Sequence, residues 1–366
     1  MMKKIARISM LAALIAAAYL SLWPVPIVPV SWDAPAPPGY TGVHAVNQRL
    51  TGLRQIALGG ETGPEHVLAG PDGKLYTGVA SGKILRMQPD GSALETYADT
   101  GGRPLGLDFD AAGNLIVADA VKGLLSVAPD RGVRVLADHV GGDAIRFADG
   151  VAVAANGKIY FSDASQRFAP VRRDTMEAAM LDVLEQSSTG RVLEYDPASR
   201  ATRVLAGGLS FANGVLLSAD QRWLYVSESG KYRVWKIAVD AAGLDVRVAS
   251  PQAQVLLDNL PGYPDNLVRG AGGRIWLGLS GQRNDLDKMA GKPWLRKLML
   301  RVPRALWPEP KPYGHVVAFT EDGRIVADLQ DPGGAAPVTT GVTEAAGRLY
   351  IHNVTAGSLG WMNAEK

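Results

Sequence analysis

The stretch Leu209–Ser229, LSFANGVLLSADQRWLYVSES, decides the fold of this chain. It contains an apolar strand, a polar turn and a second apolar strand. One uncharged amide, Asn213, stands just before the first strand. Two alternating apolar segments joined by turn residues are typical of a β-hairpin. The rest of the chain repeats this unit.

Six copies of the hairpin recur along the chain, which is the signature of a repeat architecture. The copies are GPEHVLAGPDGKLYTGV (63–79), PLGLDFDAAGNLIVADA (104–120), ADGVAVAANGKIYFSDA (148–164), ANGVLLSADQRWLYVSES (212–229), PDNLVRGAGGRIWLGLS (264–280) and TTGVTEAAGRLYIHNV (339–354). Five of them place a glycine in the turn, and Gln221 takes its place in the fourth. Further strand-like sequence follows most copies. Four antiparallel strands in each of six units predict an all-β, six-bladed β-propeller, whereas a β-sandwich would not explain the recurring spacing.

The amino-acid composition argues against several classes of function. The 366 residues include 38 basic and 36 acidic side chains, a net charge of +2, with no basic stripe. A nucleic-acid partner is therefore not expected. Cysteine is absent, which excludes disulfides, thiolate metal sites and cysteine nucleophiles.

The N-terminus differs from the repeats. Lys3, Lys4 and Arg7 precede an apolar run from Ile8 to Trp23, followed by the proline-broken tract 24–29. A basic flank before an apolar run orients the segment with the remainder of the chain exported. We interpret residues 1–30 as a signal anchor or transmembrane segment, in which the valines and isoleucine after Pro24 extend the apolar length.

A cleavable signal peptide is the alternative, because Ala16-Ala17-Ala18 could serve as a small-residue cleavage site. That site would leave a very short apolar region, so the uncleaved anchor is favoured. Residues 31–59 then form a linker and a lead-in strand, and 60–363 form the propeller. On either interpretation the propeller lies on the periplasmic or extracellular side.

Two insertions interrupt the repeats, at 167–188 in the third unit and 284–313 in the fifth. The first contains MEAAMLDVLEQ (176–186), which has helical composition. The second mixes basic residues with tryptophan and leucine. It could form a lid over a pocket, a face that lies on a bilayer, or an ordinary amphipathic segment packed on the blades.

A common register points to a metal site. Counting back eight residues from the turn position reaches Glu65, Leu105, Asp149, Asn213, Asp265 and Thr339 in the six units. The first strand of each propeller blade lines the central channel, so equivalent positions form a ring around the axis. Three carboxylates and one amide would repel one another there unless a cation lay between them. Oxygen ligands without cysteine favour Ca²⁺, and Asn266 is a possible fifth ligand.

The alternative is that these residues only terminate strands and bond to loop backbone, but that would require no shared register. The second strand of each unit returns to the same face, which predicts that Asp119, Asp163, Glu228 and His352 lie around the mouth. His352 is placed where a general base could meet a metal-bound substrate. It could equally be a strand-end residue bonded to a neighbouring loop.

Several segments resemble the strictosidine synthase-like family, and within it the adipocyte plasma membrane-associated protein type. These segments are FADGVAVAANGKIYFSDAS (147–165), GRVLEYDP (190–197), VLAGGLSFANGVLLSADQRWLYVSES (204–229) and NLPGYPDNL (259–267). The resemblance covers roughly residues 60–360. It implies a six-bladed propeller behind an N-terminal anchor.

The family is similar in turn to the paraoxonases, gluconolactonases and senescence-marker proteins, and diisopropylfluorophosphatase, which are calcium-dependent hydrolases. By this resemblance Glu65, Asn213 and Asp265 match metal ligands, and Asn266 joins Asp265 as in the paraoxonases. Two positions depart from the pattern. Ala148 stands where those hydrolases have an asparagine, so Asp149 would have to substitute as ligand. The plant synthases use a glutamate in the last blade where this chain has threonines, Thr339 and Thr340.

The sequence thus predicts an exported, membrane-anchored, Ca²⁺-dependent hydrolase of esters or lactones. His352 and Asp149 are the candidates for activating water. The alternatives are a non-catalytic propeller that binds a ligand or partner, and a strictosidine synthase-like lyase, which the missing glutamate disfavours.

Overall fold

Six antiparallel sheets surround one axis in the computed structural model, which describes residues 2–170, 174–307 and 311–364. The innermost strands contact one another in a closed circuit, from the first blade through the sixth and back to the first. The predicted six-bladed β-propeller is confirmed.

The chain begins with a helix, α1 (Met2–Leu22). The strands of the first half are β1 (Arg54–Ala57), β2 (Val67–Ala69), β3 (Leu75–Gly78), β4 (Lys83–Met87), β5 (Glu95–Asp99), β6 (Pro104–Phe109), β7 (Leu115–Asp119), β8 (Gly123–Val127), β9 (Val133–Ala137), β10 (His139–Val140), β11 (Asp143–Ala144), β12 (Ala148–Val153) and β13 (Ile159–Asp163). A second helix, α2 (Thr175–Glu185), follows β13.

The second half contains β14 (Gly190–Asp196), β15 (Ala201–Leu209), β16 (Ala212–Leu217), β17 (Trp223–Glu228), β18 (Arg233–Ala238), β19 (Leu244–Asp245), β20 (Ala253–Leu257), β21 (Gly262–Arg269), β22 (Ile275–Gln282), the helix α3 (Pro293–Arg301), β23 (Gly314–Phe319), β24 (Ile325–Asp331), β25 (Thr339–Ala345), β26 (Arg348–Asn353) and β27 (Ser358–Asn363). Short 3₁₀ turns lie at Gly42–His44, Ser229–Lys231, Ala271–Gly273, Asp287–Met289 and Arg304–Leu306.

Blades one to five take their four main strands in chain order, and the short β19 adds a parallel fifth strand beside β15 in the third blade. The sixth blade joins both ends of the chain. Its sheet has the order β1–β27–β26–β25, and Ile56 of β1 pairs with Leu359 of β27. The lead-in segment therefore closes the propeller. This pairing gives β1 a partner and leaves no blade with a missing outer strand.

At three places the inner strands of neighbouring blades approach so closely that only glycine fits between them. A Cβ added to Gly150 would lie 2.8 Å from the carbonyl oxygen of Asn213 in the next blade, and one added to Gly214 would lie 2.6 Å from that of Asp265. Each of these glycines directly follows a residue of the predicted ring. Backbone atoms of one blade thus pack directly on the ring-bearing strand of the next.

The most apolar 18-residue window of the N-terminal helix α1 has a mean hydropathy of 1.9, and no residue of the helix is buried. Among the described residues it is the one helix long and apolar enough to cross a membrane. It ends at Leu22, and the tract after Pro24 does not lengthen it. Instead Ile27 is 1% exposed and packs on the propeller. For Ile27 the expectation that this tract extends the apolar span is therefore wrong, since this side chain is buried against protein, whereas Val28 and Val30 are exposed.

Both insertions contain helices and lie together. Helix α2 confirms the helix predicted over 176–186, although residues 171–173 and 308–310 of the two insertions lie outside the described part. Arg296 of α3 donates to the carbonyl oxygens of Leu184 (2.8 Å) and Val30 (2.5 Å). The guanidinium thereby joins both insertions to the chain that follows α1.

Replacing Gly214 by alanine should destabilise the propeller by about 1–3 kcal/mol, because the added methyl meets immobile backbone of the next blade. Gly207→Ala is the matched control: its Cβ would have no neighbour nearer than 3.9 Å. Urea unfolding of the two variants measures the difference. Equal unfolding free energies would contradict the close approach.

Candidate metal centre

The four predicted oxygen-bearing residues occupy equivalent places at the starts of inner strands. Glu65 precedes β2, and Asp149, Asn213 and Asp265 lie in β12, β16 and β21. Their exposed fractions are 4%, 3%, 5% and 7%. Polar side chains this deeply buried require partners.

Each of these four side chains nevertheless has one oxygen without a hydrogen-bond partner in the described structure. The atoms are Glu65 Oε2, Asp149 Oδ1, Asn213 Oδ1 and Asp265 Oδ1. Leaving one buried acceptor unsatisfied costs about 1–3 kcal/mol. Four at equivalent positions fit a group that accepts electron pairs from oxygen, namely a hard cation.

The carboxylates also perturb one another. Burial raises the pKa of Asp149 and Asp265 well above the usual range, and the nearby Glu65 raises both further. Burial likewise raises the pKa of Glu65, while Arg103 opposes the shift. Each carboxylate is therefore costly to ionise without a positive charge beside it.

Arg103 supplies one such charge and was not identified from the sequence. It is 2% exposed, its Nη2 donates to the carbonyl oxygen of Gly63 (3.1 Å), and its Nη1 has no partner in the described residues. It lies in the second blade, where the register position is Leu105. The only sequence signal for a role of Arg103 is a basic residue directly before an apolar strand. Three carboxylates and one guanidinium carry −2 when ionised, which a divalent cation would neutralise.

Asn266 lies at the ring but is engaged with Glu65. Its Nδ2 donates to the Oε1 of Glu65 (2.5 Å) and to the Glu65 carbonyl oxygen (3.1 Å). The amide therefore fixes one oxygen of Glu65 and leaves Oε2 free. As a ligand it stays a prediction, and so do the four ring residues.

The sixth blade departs from the eight-residue count. Ala148, Ala212 and Thr339 pair with Asp163, Glu228 and Asn353 in their respective hairpins. Thr339 thus matches the residue before the ring position. Thr340 is the true equivalent, because the last hairpin is one residue shorter, and its hydroxyl donates to the carbonyl oxygen of Glu65 (2.6 Å).

Three of the residues expected around the mouth have structural partners. Asp119 accepts from the backbone N–H of Arg103 (2.9 Å), Asp163 from that of Phe147 (2.9 Å) and Glu228 from that of Ser210 (2.8 Å). Each carboxylate ties the end of a second strand to the residue that leads into the first strand. These hydrogen bonds hold the first two strands of each blade in place.

His352 is fully buried beside the ring strands. It lies one residue before Asn353, which is the sixth-blade equivalent of Asp119, Asp163 and Glu228. Its Nε2 lies 2.8 Å from the Thr343 hydroxyl, and that hydroxyl donates its hydrogen to the carbonyl oxygen of Val67. The Nε2 must therefore carry the imidazole proton, which leaves a bare Nδ1 without a partner in the described residues. Burial holds the pKa of His352 well below its usual value, and the neighbouring His66 lowers it further. Its catalytic role stays a prediction.

An apolar layer covers the ring. Leu105 at the second-blade ring position packs in one cluster with Phe147, Phe211, Ile27 and Leu184 of α2. Met299 and Leu300 of α3 pack against the same cluster. Both insertions thus pack on the cluster that contains the second-blade ring position, and we refer to α2 and α3 together as the lid.

The fold and ring together define a propeller with a candidate divalent-cation site in its channel, and sequence comparisons identify the family. The family description "Strictosidine synthase-like, N-terminal" matches residues 42–87 and "Strictosidine synthase" matches 149–241. Strictosidine synthase-like protein 7 of Arabidopsis thaliana is 34% identical over 299 residues, covering 77% of this chain and 74% of the relative. The adipocyte plasma membrane-associated protein of Danio rerio is 31% identical, covering 89% and 81%. The chain belongs to the strictosidine synthase-like family, as the resemblance predicted.

Solved structures share the fold. A gluconolactonase from Xanthomonas campestris matches with a TM-score of 0.61 at 18% identity, covering 93% of this chain and 99% of that one. The calcium-binding protein regucalcin from Agrobacterium tumefaciens matches with a TM-score of 0.57 at 14% identity, covering 86% and 94%. At these identities the likeness establishes the propeller architecture.

The raised pKa values predict how the chelated protein responds to pH. A carboxyl whose pKa is higher when folded contributes stability below its unfolded pKa of about 4, and this is lost as pH rises through the folded pKa. The free energy of unfolding should therefore fall as pH rises from about 4 through the raised pKa values of these carboxyls. Added Ca²⁺ should restore it at the upper end. Urea titrations across this range measure both effects.

Asp265→Asn should flatten this pH dependence and weaken the response to Ca²⁺. Asp108→Asn is the control, because burial raises the pKa of Asp108 to about 6 without placing it in the ring. It should remove another part of the pH dependence and keep the calcium response. An unchanged calcium response in Asp265→Asn would contradict the site.

Proposed function

We propose that this protein is an exported, membrane-anchored, Ca²⁺-dependent hydrolase of esters or lactones. The observation that carries the proposal is the set of four buried, unpartnered oxygens at equivalent positions of the channel. Glu65, Asp149, Asn213 and Asp265 would hold the ion, with Asn266 orienting Glu65. When bound, Ca²⁺ supplies a positive charge that polarises a substrate carbonyl.

The chain itself supplies a candidate base. The Nδ1 of His352 carries no proton in the tautomer that Thr343 imposes, and it faces the space left by Gly341, whose added Cβ would lie 2.6 Å from it. A neutral imidazole with a free lone pair can accept a proton from water. Asp149 is the second candidate, and as a ligand it would be less free to act.

The lid restricts what can reach the ring. The layer formed by Leu105, Phe147 and Phe211 is apolar, so it favours substrates with apolar or aromatic groups. It also excludes water around a polarised carbonyl, which strengthens electrostatic interactions there. We therefore expect aryl esters and alkyl lactones to be better substrates than strongly charged compounds.

Synthase-type lyase chemistry is disfavoured by the last blade. Thr340 occupies the ring position, and the glutamate of the same strand, Glu344, bonds to Arg274 (3.0 Å) and the indole of Trp276 (3.2 Å). That carboxylate is committed to partners near the turn. No acid in the described part of β25 therefore points to such a reaction.

Asn213→Ala should lower kcat/KM for aryl esters and lactones at least tenfold, since one ligand oxygen is lost. A chelator should abolish turnover by the unaltered protein, and Ca²⁺ should restore it. Asn156→Ala, which changes an exposed turn amide, is the matched control and should keep full activity. A spectrophotometric panel of both substrate classes measures the rates.

Absence of turnover across the whole panel, with Ca²⁺ still bound, would replace this proposal by a non-catalytic ligand-binding propeller. Turnover that survives both the chelator and Asn213→Ala would assign the activity to another site.

The proposed topology is testable separately. Deleting residues 2–22 should move the protein from the membrane fraction to the soluble fraction and lower its unfolding temperature only slightly, because α1 is not buried and the deletion removes one hydrogen bond from Arg301 to Leu20. Ile27→Asp in the full-length chain should instead keep membrane association and lower the unfolding temperature. A periplasm-dependent reporter fused after residue 366 should be active, and an inactive reporter would reverse the proposed orientation.

A further inference from the structure

A second cluster of metal-ligating side chains lies outside the channel, where the segment after α1 meets blade five. His44 ends the 3₁₀ turn Gly42–His44, His315 lies in β23 and Asp328 lies in β24. The cluster joins a lead-in residue to two strands that are about 270–285 positions away in the sequence. None of its members belongs to the ring.

The three donor atoms converge. The Nδ1 of His44 lies 2.7 Å, and the Nε2 of His315 lies 3.0 Å, from the same Oδ2 of Asp328. All three atoms lie within 4.8 Å of one another. The imidazole planes are inclined at 82° with their centroids 6.0 Å apart, so the two rings approach the carboxylate from different directions.

Burial and a surrounding hydrogen-bond network hold the donors in place. The side chains of His44, His315 and Asp328 are 12%, 2% and 7% exposed. The other Asp328 oxygen, Oδ1, accepts from Asn47 Nδ2 (3.1 Å) and Gln330 Nε2 (2.5 Å). These two amides orient the carboxylate so that Oδ2 alone faces the imidazoles, as the surroundings of metal ligands commonly do.

One imidazole nitrogen of this cluster lacks a hydrogen-bond partner. With Nε2 donating to Asp328, the buried Nδ1 of His315 is left without a hydrogen-bond partner in the described residues. An ion in the cluster would take the lone pair of Nε2 and move the proton to Nδ1. Tetrahedral bonds of about 2.0–2.2 Å separate the ligand atoms by about 3.3–3.6 Å. The N···O distances of 2.7 Å and 3.0 Å would therefore open by roughly 0.3–0.9 Å to admit an ion.

We infer that His44, His315 and Asp328 form a second metal site, which takes a first-row transition metal of the Zn²⁺ type. Two imidazoles and one carboxylate suit such ions better than Ca²⁺, which prefers oxygen. Three protein ligands leave a fourth position for water or an exogenous donor.

The position of the cluster indicates what the ion would do. His44 is the ligand nearest to α1 in sequence, and Asn47 and Leu50 continue the same segment onto blade five, where the Leu50 N–H donates to the carbonyl oxygen of Gln330 (3.0 Å). A bound ion would clamp the lead-in segment onto the propeller before it enters β1. The site would thus stabilise the junction between helix and propeller, independently of the channel.

Metal-free full-length protein in detergent, titrated with Zn²⁺ and with Co²⁺, tests the proposal. One equivalent of Zn²⁺ should bind, and Co²⁺ should give the visible bands of low-coordinate cobalt. His44→Ala should weaken binding at least tenfold. Removing the orienting amide with Asn47→Ala should weaken it roughly 10- to 100-fold. Zinc should also slow proteolysis within residues 31–42.

His139→Ala is the matched control, because His139 pairs with Asp138 on the surface (58% and 65% exposed) with no third ligand in the described structure. It should leave zinc binding unchanged, and so should Asn213→Ala in the channel. His44→Cys provides a rescue: the chain has no cysteine, so a thiolate-to-cobalt charge-transfer band could arise only at this position.

Zinc binding equal in the unaltered protein and His44→Ala would overturn the site. So would the absence of a charge-transfer band in a folded His44→Cys variant. Junction stability that depends on pH but not on Zn²⁺ would mean that the three residues form only a hydrogen-bonded contact, which also overturns the inference.

Discussion

The structure depends on one electrostatic constraint, the burial of three carboxylates and an amide around the propeller axis with a single buried guanidinium nearby. Burial raises the pKa of Asp149 and Asp265, so the ionised ring is unfavourable by itself. Arg103 offsets part of the charge and Asn266 satisfies one oxygen of Glu65. The remaining unpartnered oxygens are at equivalent positions in different blades. Strand-terminating residues would be expected to bond to their own loops, as Asp119 and Asp163 do.

Backbone geometry makes this ring possible. The glycines that follow the ring positions let one inner strand press against the next, with no room for a Cβ. Contacts of this kind, at Gly106, Gly150 and Gly214, help to bring side chains from distant parts of the sequence to one point. The sequence pattern of a polar residue followed by glycine, in Asp149-Gly150 and Asn213-Gly214, thus combines two requirements: an oxygen facing the axis and a backbone that permits close approach.

Much of the fold and of the ring could be predicted, because residues at the same position of each repeat lie at equivalent places in the structure. The hairpin register located Glu65, Asp149, Asn213 and Asp265, and the six-bladed fold followed from the same count. Three features could not be predicted. The shorter last hairpin moved the register from Thr339 to Thr340, Arg103 lies two residues outside the counted position, and β1 pairs with a strand about 300 residues away. The first depends on loop length, the second on side-chain reach and the third on chain closure, none of which periodicity records.

The N-terminal apolar helix and the ring are connected through one apolar layer. Ile27 follows α1 by five residues and packs in the same cluster as Leu105 at a ring position, while α2 and α3 supply the rest of that layer. Arg301 of α3 donates to the carbonyl oxygens of Trp23 (2.7 Å) and Leu20 (3.1 Å), so the lid is also bonded to the end of α1. The packing of Ile27 and the hydrogen bonds of Arg301 therefore connect the N-terminal helix to the same layer that contains a ring position. The segment that follows α1 is thus part of the packing around the ring as well as the attachment of the helix.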